Sequence, residues 1–348
     1  MNSTDILTEK GGSLFLNNLI FIKGVKRLQE LAKADTSVIT DTKKNTKLKT
    51  KLHYMKKNYI LYLFLAPAII LTIIFKYVPM YGASIAFKDF SPIRGINGSE
   101  WVGFKHFTDF LSSPNFMDIL VNTLKLSSFE LLIGFPIPII LALMLNQLRK
   151  AGVKKNIQLV LYAPHFISVV VISGMIFLFL SPTGPINAML SVFTDKPISF
   201  MSDPDAFRSI YIWSGVWQGA GWASIIYVAA LANVDPQLHD AATVDGASLL
   251  QRIWHIDLPT LKPVMAVLFI LAAGGIMAIG FEKAYLLQTS MNLPTSEIIS
   301  TYVYKRGLQA GDYSFATAVG LFNAVINVIL LVFVNRVVKK LNEGEGLL

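Results

Sequence analysis

The chain has no cysteine in its 348 residues, which excludes a disulfide framework, a thiol nucleophile and any cysteine-built metal site. Charge is scarce too: Asp, Glu, Lys and Arg make up 15% of residues, against roughly a quarter in average soluble chains. The five histidines are scattered, and none pairs with another at the i, i+4 spacing of a zinc-binding helix. No GxxxxGK[ST] phosphate loop occurs, so the chain carries no ATP site of that kind. No acid–base or nucleophile constellation stands out. These absences point away from an enzyme, and neither a cofactor nor a metal is expected on this chain.

What is present is apolar. Hydrophobic residues make up 53% of the chain and the mean hydropathy is +0.53. The few charges are clumped and leave apolar runs of about 20 residues, enough to cross ~30 Å of hydrocarbon. The expected class is all-α, a polytopic transmembrane helical protein of about six spans, near 59–81, 116–145, 156–180, 207–233, 263–283 and 314–336. Glu130, Pro136 and Pro138 interrupt the second, so a kink is expected there. The net charge of +9 is spread over loops that flank spans, which argues for membrane topology and against a nucleic-acid partner.

Ahead of the first span lies an N-terminal segment, 1–58. Residues 12–22 read as an interfacial amphipathic helix, and the lysine-rich 34–58 as a tether near anionic headgroups. The first span with its following loop occupies 59–115, a five-span core 116–338, and a short tail 339–348. Lys and Arg set the orientation. With the N-terminus inside, twenty-one fall on cytoplasmic segments, against eight outside. The long tail inflates that count, but the short 146–155 loop agrees, with Arg149, Lys150, Lys154 and Lys155. Both termini are therefore expected in the cytoplasm, and so is the polar insert 234–262.

That insert is the most informative stretch. Asp235-Pro236 is a helix start, a carboxylate N-cap followed by proline at the first helical position. The helix passes Leu238, Ala241 and Ala242 and breaks at Asp245-Gly246, where glycine can take the left-handed conformation. Ser248 with Gln251 reads as a capping box that opens a second short helix. Pro259 and Pro263 are expected to end this second helix and steer the chain into the fifth span. Helix, glycine corner, helix makes a compact knob over 236–258, able to sit in a cleft and pass on rigid-body motion. An ordinary connection between spans accounts for the same capping residues.

The insert resembles the coupling loop of bacterial type I ABC importer permeases, whose pattern is Glu-Ala-Ala, two residues, Asp-Gly-Ala, then an aromatic, an isoleucine and a proline. Ala241, Ala242, Asp245, Gly246, Ala247, Ile256 and Pro259 fall in register. Asp240 replaces the leading glutamate, and Ile253 stands where phenylalanine is usual, with Trp254 beside it. Further segments are similar to the sugar branch of that family: Tyr77-Val-Pro-Met-Tyr-Gly, Trp101-Val-Gly-Phe, Asn122-Thr-Leu, Tyr162-Ala-Pro-His-Phe-Ile-Ser, Trp217-Gln-Gly-Ala-Gly-Trp and Tyr302-Val-Tyr-Lys-Arg-Gly-Leu. The resemblance covers almost all of the chain past residue 59. It implies a permease subunit in the bacterial cytoplasmic membrane that carries a complex oligosaccharide. Implied partners are a second homologous permease, two cytoplasmic ATPases holding ATP and magnesium, and an extracellular or periplasmic binding protein. Asp240, Ala241, Ala242, Asp245, Gly246, Ala247, Ile256 and Pro259 would dock into the ATPase.

A sugar path needs aromatic faces for the rings and amides or carboxylates for the hydroxyls. Trp213, Trp217, Gln218 and Trp222 of the fourth span are candidates, the tryptophans fitting equally an aromatic belt at the membrane boundary. Glu130 costs about 2.5–3.5 kcal/mol at mid-span on insertion scales, so it should face protein or water. Asn323 and Asn327, four apart on one helical face, suit either the path or hydrogen bonding between helices. Glu282 and Lys283 are expected at the outer mouth, paired with neighbouring charges, and His165 in a packing role. Two rivals stay open. One is an ABC permease for a non-sugar solute. The other is a stand-alone secondary transporter, which should show paired intramembrane ionisables where Glu130 is the only carboxylate well inside a span.

Overall fold

The computed structural model describes residues 57–341 except Arg149 and Ala278. The expected interfacial helix at 12–22, nearly all of the lysine-rich tether and the C-terminal residues from 342 on lie outside the described residues. Contacts within the chain divide it at Tyr81–Gly82 into two units. In the first, the helix Tyr59–Thr72 carries Pro67 in its interior and runs on into a π turn at Ile73–Tyr77. With the 3₁₀ stretch Val78–Phe87, the apolar helical run reaches 29 residues.

The second unit is helical apart from an antiparallel pair, Lys88–Asp89 with Glu100–Trp101. Among the described residues, five helices are long and apolar enough to cross a membrane. A sixth is counted if Pro204–Leu231 is taken with Pro236–Val244, from which it is bent by 78°. The second span is one apolar run, Phe116–Asn146. Two α-helices make it up, Phe116–Gly134 and Pro136–Asn146, which meet at Phe135, where the interruption was expected. Pro136 and Pro138 stand in the first turn of the second, where missing N–H groups cost least.

Two boundaries differ from the sequence expectation. The third span is not 156–180 but Val169–Leu190. Ala151–Tyr162 is a separate helix that passes into a tight 3₁₀ turn at Ala163–Phe166. The chain is then extended at Ser168, whose side chain accepts from Val171 N and starts a new helix. Hydropathy sees one run there; Pro164 and the Ser168 cap make two.

The fifth span is displaced in the same way. It runs Leu249–Gly274, not 263–283, and residues 281–287 form a short helix of their own. Contrary to expectation, Pro259 and Pro263 do not end the knob's second helix. Leu249–Arg252 passes into a π turn at Ile253–Asp257, and the helix continues from Leu258. The Leu258 N–H reaches back to Ile253 O, and Pro259 then falls in the first turn of the new α segment. A proline that would clash in an uninterrupted α-helix is tolerated beside such a bulge.

Close packing, more than the hydrophobic effect, holds helices together in lipid. Near the knob the core is Ile139, Ala142, Tyr227, Leu231 and Leu261. Toward the other end, Phe110, Ile119, Met277, Phe315 and Val319 form a second cluster. Buried polar side chains pin this end: Asn122 donates to Pro294 O and accepts from Arg208, while Asn292 donates to Met201 O and Leu287 O.

Candidate functional site

Two places can do work: a cavity among the spans and the knob at one end of them. The cavity measures about 510 Å³ and is walled by the second, fourth and fifth spans, among others by Glu130, Pro138, Gly215, Tyr227 and Gly280. Its size falls in the ~300–1,000 Å³ range of small-ligand pockets. Part of its wall is non-helical backbone, because the fifth span stops at Gly274 and the next helix starts at Phe281. Irregular backbone at membrane depth is tolerated where it is buried in protein or lines a cavity.

Of the residues expected on a sugar path, Glu130 alone lines this cavity. It accepts no hydrogen bond that the described residues supply, and Lys283 is the cation within its electrostatic reach. Lys283 is buried just behind the wall. Its ammonium donates to the Tyr211 carbonyl and lies 4.6 Å from the centroid of the Tyr211 ring. Gly215 makes room for it: a Cβ at that position would fall 2.9 Å from Lys283 Nζ. The sequence reading placed Lys283 at an outer mouth among charged neighbours. Instead it takes a backbone oxygen and an aromatic face.

The other expected path residues lie elsewhere. Trp213 and Trp217 are exposed outside the cavity lining. Gln218 Nε2 donates to Ile167 O at 3.0 Å. Trp222 stacks on His165 with ring centroids 4.6 Å apart, and Phe166 meets it edge-on, the packing role expected of that histidine. Asn323 Nδ2 donates to Met277 O, and Met277 N donates to Asn327 Oδ1, each at 3.0 Å. The two asparagines thus satisfy the backbone where the fifth span stops.

The knob forms as its capping residues dictate. Asp235 accepts from Gln237 N at 2.9 Å, and Pro236–Val244 follows. Gly246 turns the corner at φ +76°. The reciprocal Ser248–Gln251 box opens the second arm. Arg252 Nη1 donates to Thr243 Oγ1 at 2.8 Å and closes the corner. Asp240, Ala241, Asp245, Gly246 and Pro259 are exposed, and Ala242, Ala247 and Ile256 half-buried. Beside them stand bare apolar side chains, Val244 at 88%, Leu250 at 75% and Trp254 at 67% exposure.

One residue escaped the sequence reading. Asp257, which α-helical spacing would put on one stripe with Leu250, Ile253 and Trp254, is fully buried where Leu250 and Trp254 are exposed. A carboxylate on an otherwise apolar helical face is the signal that could have found it.

These features define a polytopic permease with an internal cavity and a folded insert at one end. Residues 134–343 match the family of binding-protein-dependent transport system inner membrane components, and the chain belongs to it. It is 45% identical to protein LplB of Bacillus subtilis over 84% of this chain and 92% of that one. It is 44% identical to the polygalacturonan/rhamnogalacturonan transport system permease YteP of the same organism, over 93% and 100%. A chain of the crystal structure of a bacterial ABC transporter involved in import of the acidic polysaccharide alginate aligns with TM-score 0.77 and 42% identity, over 83% of this chain and 98% of that one. The alginate transporter has also been solved in complex with an alginate pentasaccharide-bound periplasmic protein, and that match has TM-score 0.77 at 40% identity.

Proposed function

We propose that the chain is one of two permease subunits of an ATP-driven importer for a complex oligosaccharide. An extracellular or periplasmic binding protein delivers the sugar, and two cytoplasmic ATPases dock at the 236–258 knob. The knob carries this reading. It is a helix corner closed by its own hydrogen bonds that presents Val244, Leu250 and Trp254 to a partner, as an exposed apolar patch rimmed by polar groups does. Family membership and the oligosaccharide-transport relatives support it.

ATP-driven closure of the ATPase pair moves the knob and shifts the spans between inward- and outward-facing states around the cavity. ATP and magnesium stay on the ATPase. Glu130 is the charged group in the cavity wall that a translocating sugar meets, its carboxylate accepting from hydroxyls. Both termini and the knob face the cytoplasm.

The test is to tag the chain in its native host, purify it in mild detergent and identify what co-purifies. Recovery of an ATPase and a second permease is expected. The chain alone, even after gentle crosslinking, would overturn the proposal.

A further inference from the structure

We infer that Asp257 is a positioning residue for energy coupling, a buried latch that fastens the knob to the second span so that the second and fifth spans answer a push on the knob together. The inference rests on the knob being the ATPase docking point.

Asp257 closes the π turn Ile253–Asp257, where the knob's second arm becomes the fifth span. It is fully buried. Its Oδ1 lies 3.1 Å from His239 Nε2 and 3.5 Å from Asn146 Nδ2, and its Oδ2 accepts from Gln147 Nε2 at 3.0 Å. His239 sits on the knob's first arm, directly before Asp240. Asn146 and Gln147 end the second span, 111 and 110 residues away in the chain. One carboxylate therefore ties both arms of the knob to a third element.

A buried carboxylate can only accept, so it must be supplied with donors, and here N–H groups meet both oxygens. Folding of the knob does not require the two from the second span. The Asp235 cap, the Ser248–Gln251 box and the Arg252–Thr243 bond already close it. The π turn matters as well. It adds one residue to a helical turn, and without it position 257 would point about 100° away. The residues that match the family pattern, Ile256 and Pro259, pass over Asp257.

The absence of cysteine allows the test. Spin labels are placed on Gln237→Cys, exposed on the knob's first arm and outside the docking patch, on Leu132→Cys of the second span and, as reference, on Val325→Cys of the sixth. Distances from the reference are measured by pulsed EPR in the whole transporter purified from its host, with and without Mg-ATP. Gln147→Leu removes the shorter of the two second-span bonds, at 3.0 Å, leaving Asn146 at 3.5 Å, and does not touch the knob.

In the parent, both labels are expected to shift on adding ATP. In Gln147→Leu the knob label still shifts, the ATPase still co-purifies and hydrolyses ATP, and the shift at Leu132 is lost. Asp257→Asn repeats that pattern, and the double variant is no worse than either alone. An undiminished Leu132 shift in Gln147→Leu overturns the latch. So does a parent in which the knob moves and the second span does not. If the parent brings down no ATPase, the docking reading itself has failed, a result read from the purification before any distance is measured.

Discussion

Single side chains decide how the cavity and its borders behave. Glu130 is the one expected path residue in the cavity wall, so Glu130→Gln should leave membrane insertion and yield intact while changing uptake. Unchanged transport kinetics would remove it from the path. The paired asparagines belong to stability. Asn327→Leu leaves the Met277 N–H without its acceptor at a cost of about 1–3 kcal/mol, seen as a lower Tm of the purified transporter. At this scale the sequence was legible in part. Asn323 and Asn327 fall on one face by simple periodicity, but which backbone they hold depends on where the fifth span stops. Trp213 and Trp217 stand exposed outside the cavity wall, a position that suits a sugar path and a membrane boundary alike. Lys283 was hidden by its neighbour Glu282, and burial behind Gly215 follows only from the packing of three helices.

At the scale of elements, the knob is the part that could be read nearly letter by letter. Asp235-Pro236, Gly246 and Ser248 with Gln251 act over three or four residues, within the reach of local rules. Gly246→Val should strain the corner by roughly 1–2 kcal/mol, since a β-branched residue disfavours φ near +76°, and coupled uptake should fall while insertion persists. Ser248→Ala removes a cap worth about 1 kcal/mol. Faster amide hydrogen exchange confined to residues 249–253 is the expected signature. The span boundaries were less legible. Pro259 and Pro263 were read as stops because the rule presumes an uninterrupted α-helix, and the π turn at Ile253–Asp257 removes that premise. At Pro164 the opposite error occurred, a break concealed inside one apolar run.

For the whole molecule, the lack of native thiols makes orientation measurable. Gln237→Cys, exposed on the knob outside the docking patch, should react only with reagents admitted to the cytoplasm. Ile93→Cys, 97% exposed in the 82–115 loop, should react in intact cells with impermeant maleimide. Reversed labelling would invert the proposed topology. One further consequence follows from the continuity of the fifth span with the knob. The 26 residues of Leu249–Gly274 make a shaft about 40 Å long, with the proposed docking corner at one end and the non-helical cavity wall at the other. The shaft is helical throughout, α then π then α, so on the proposed docking a load applied at the corner is carried along it to the wall. On that proposal, receiving the push and moving the cavity wall are one event and not two.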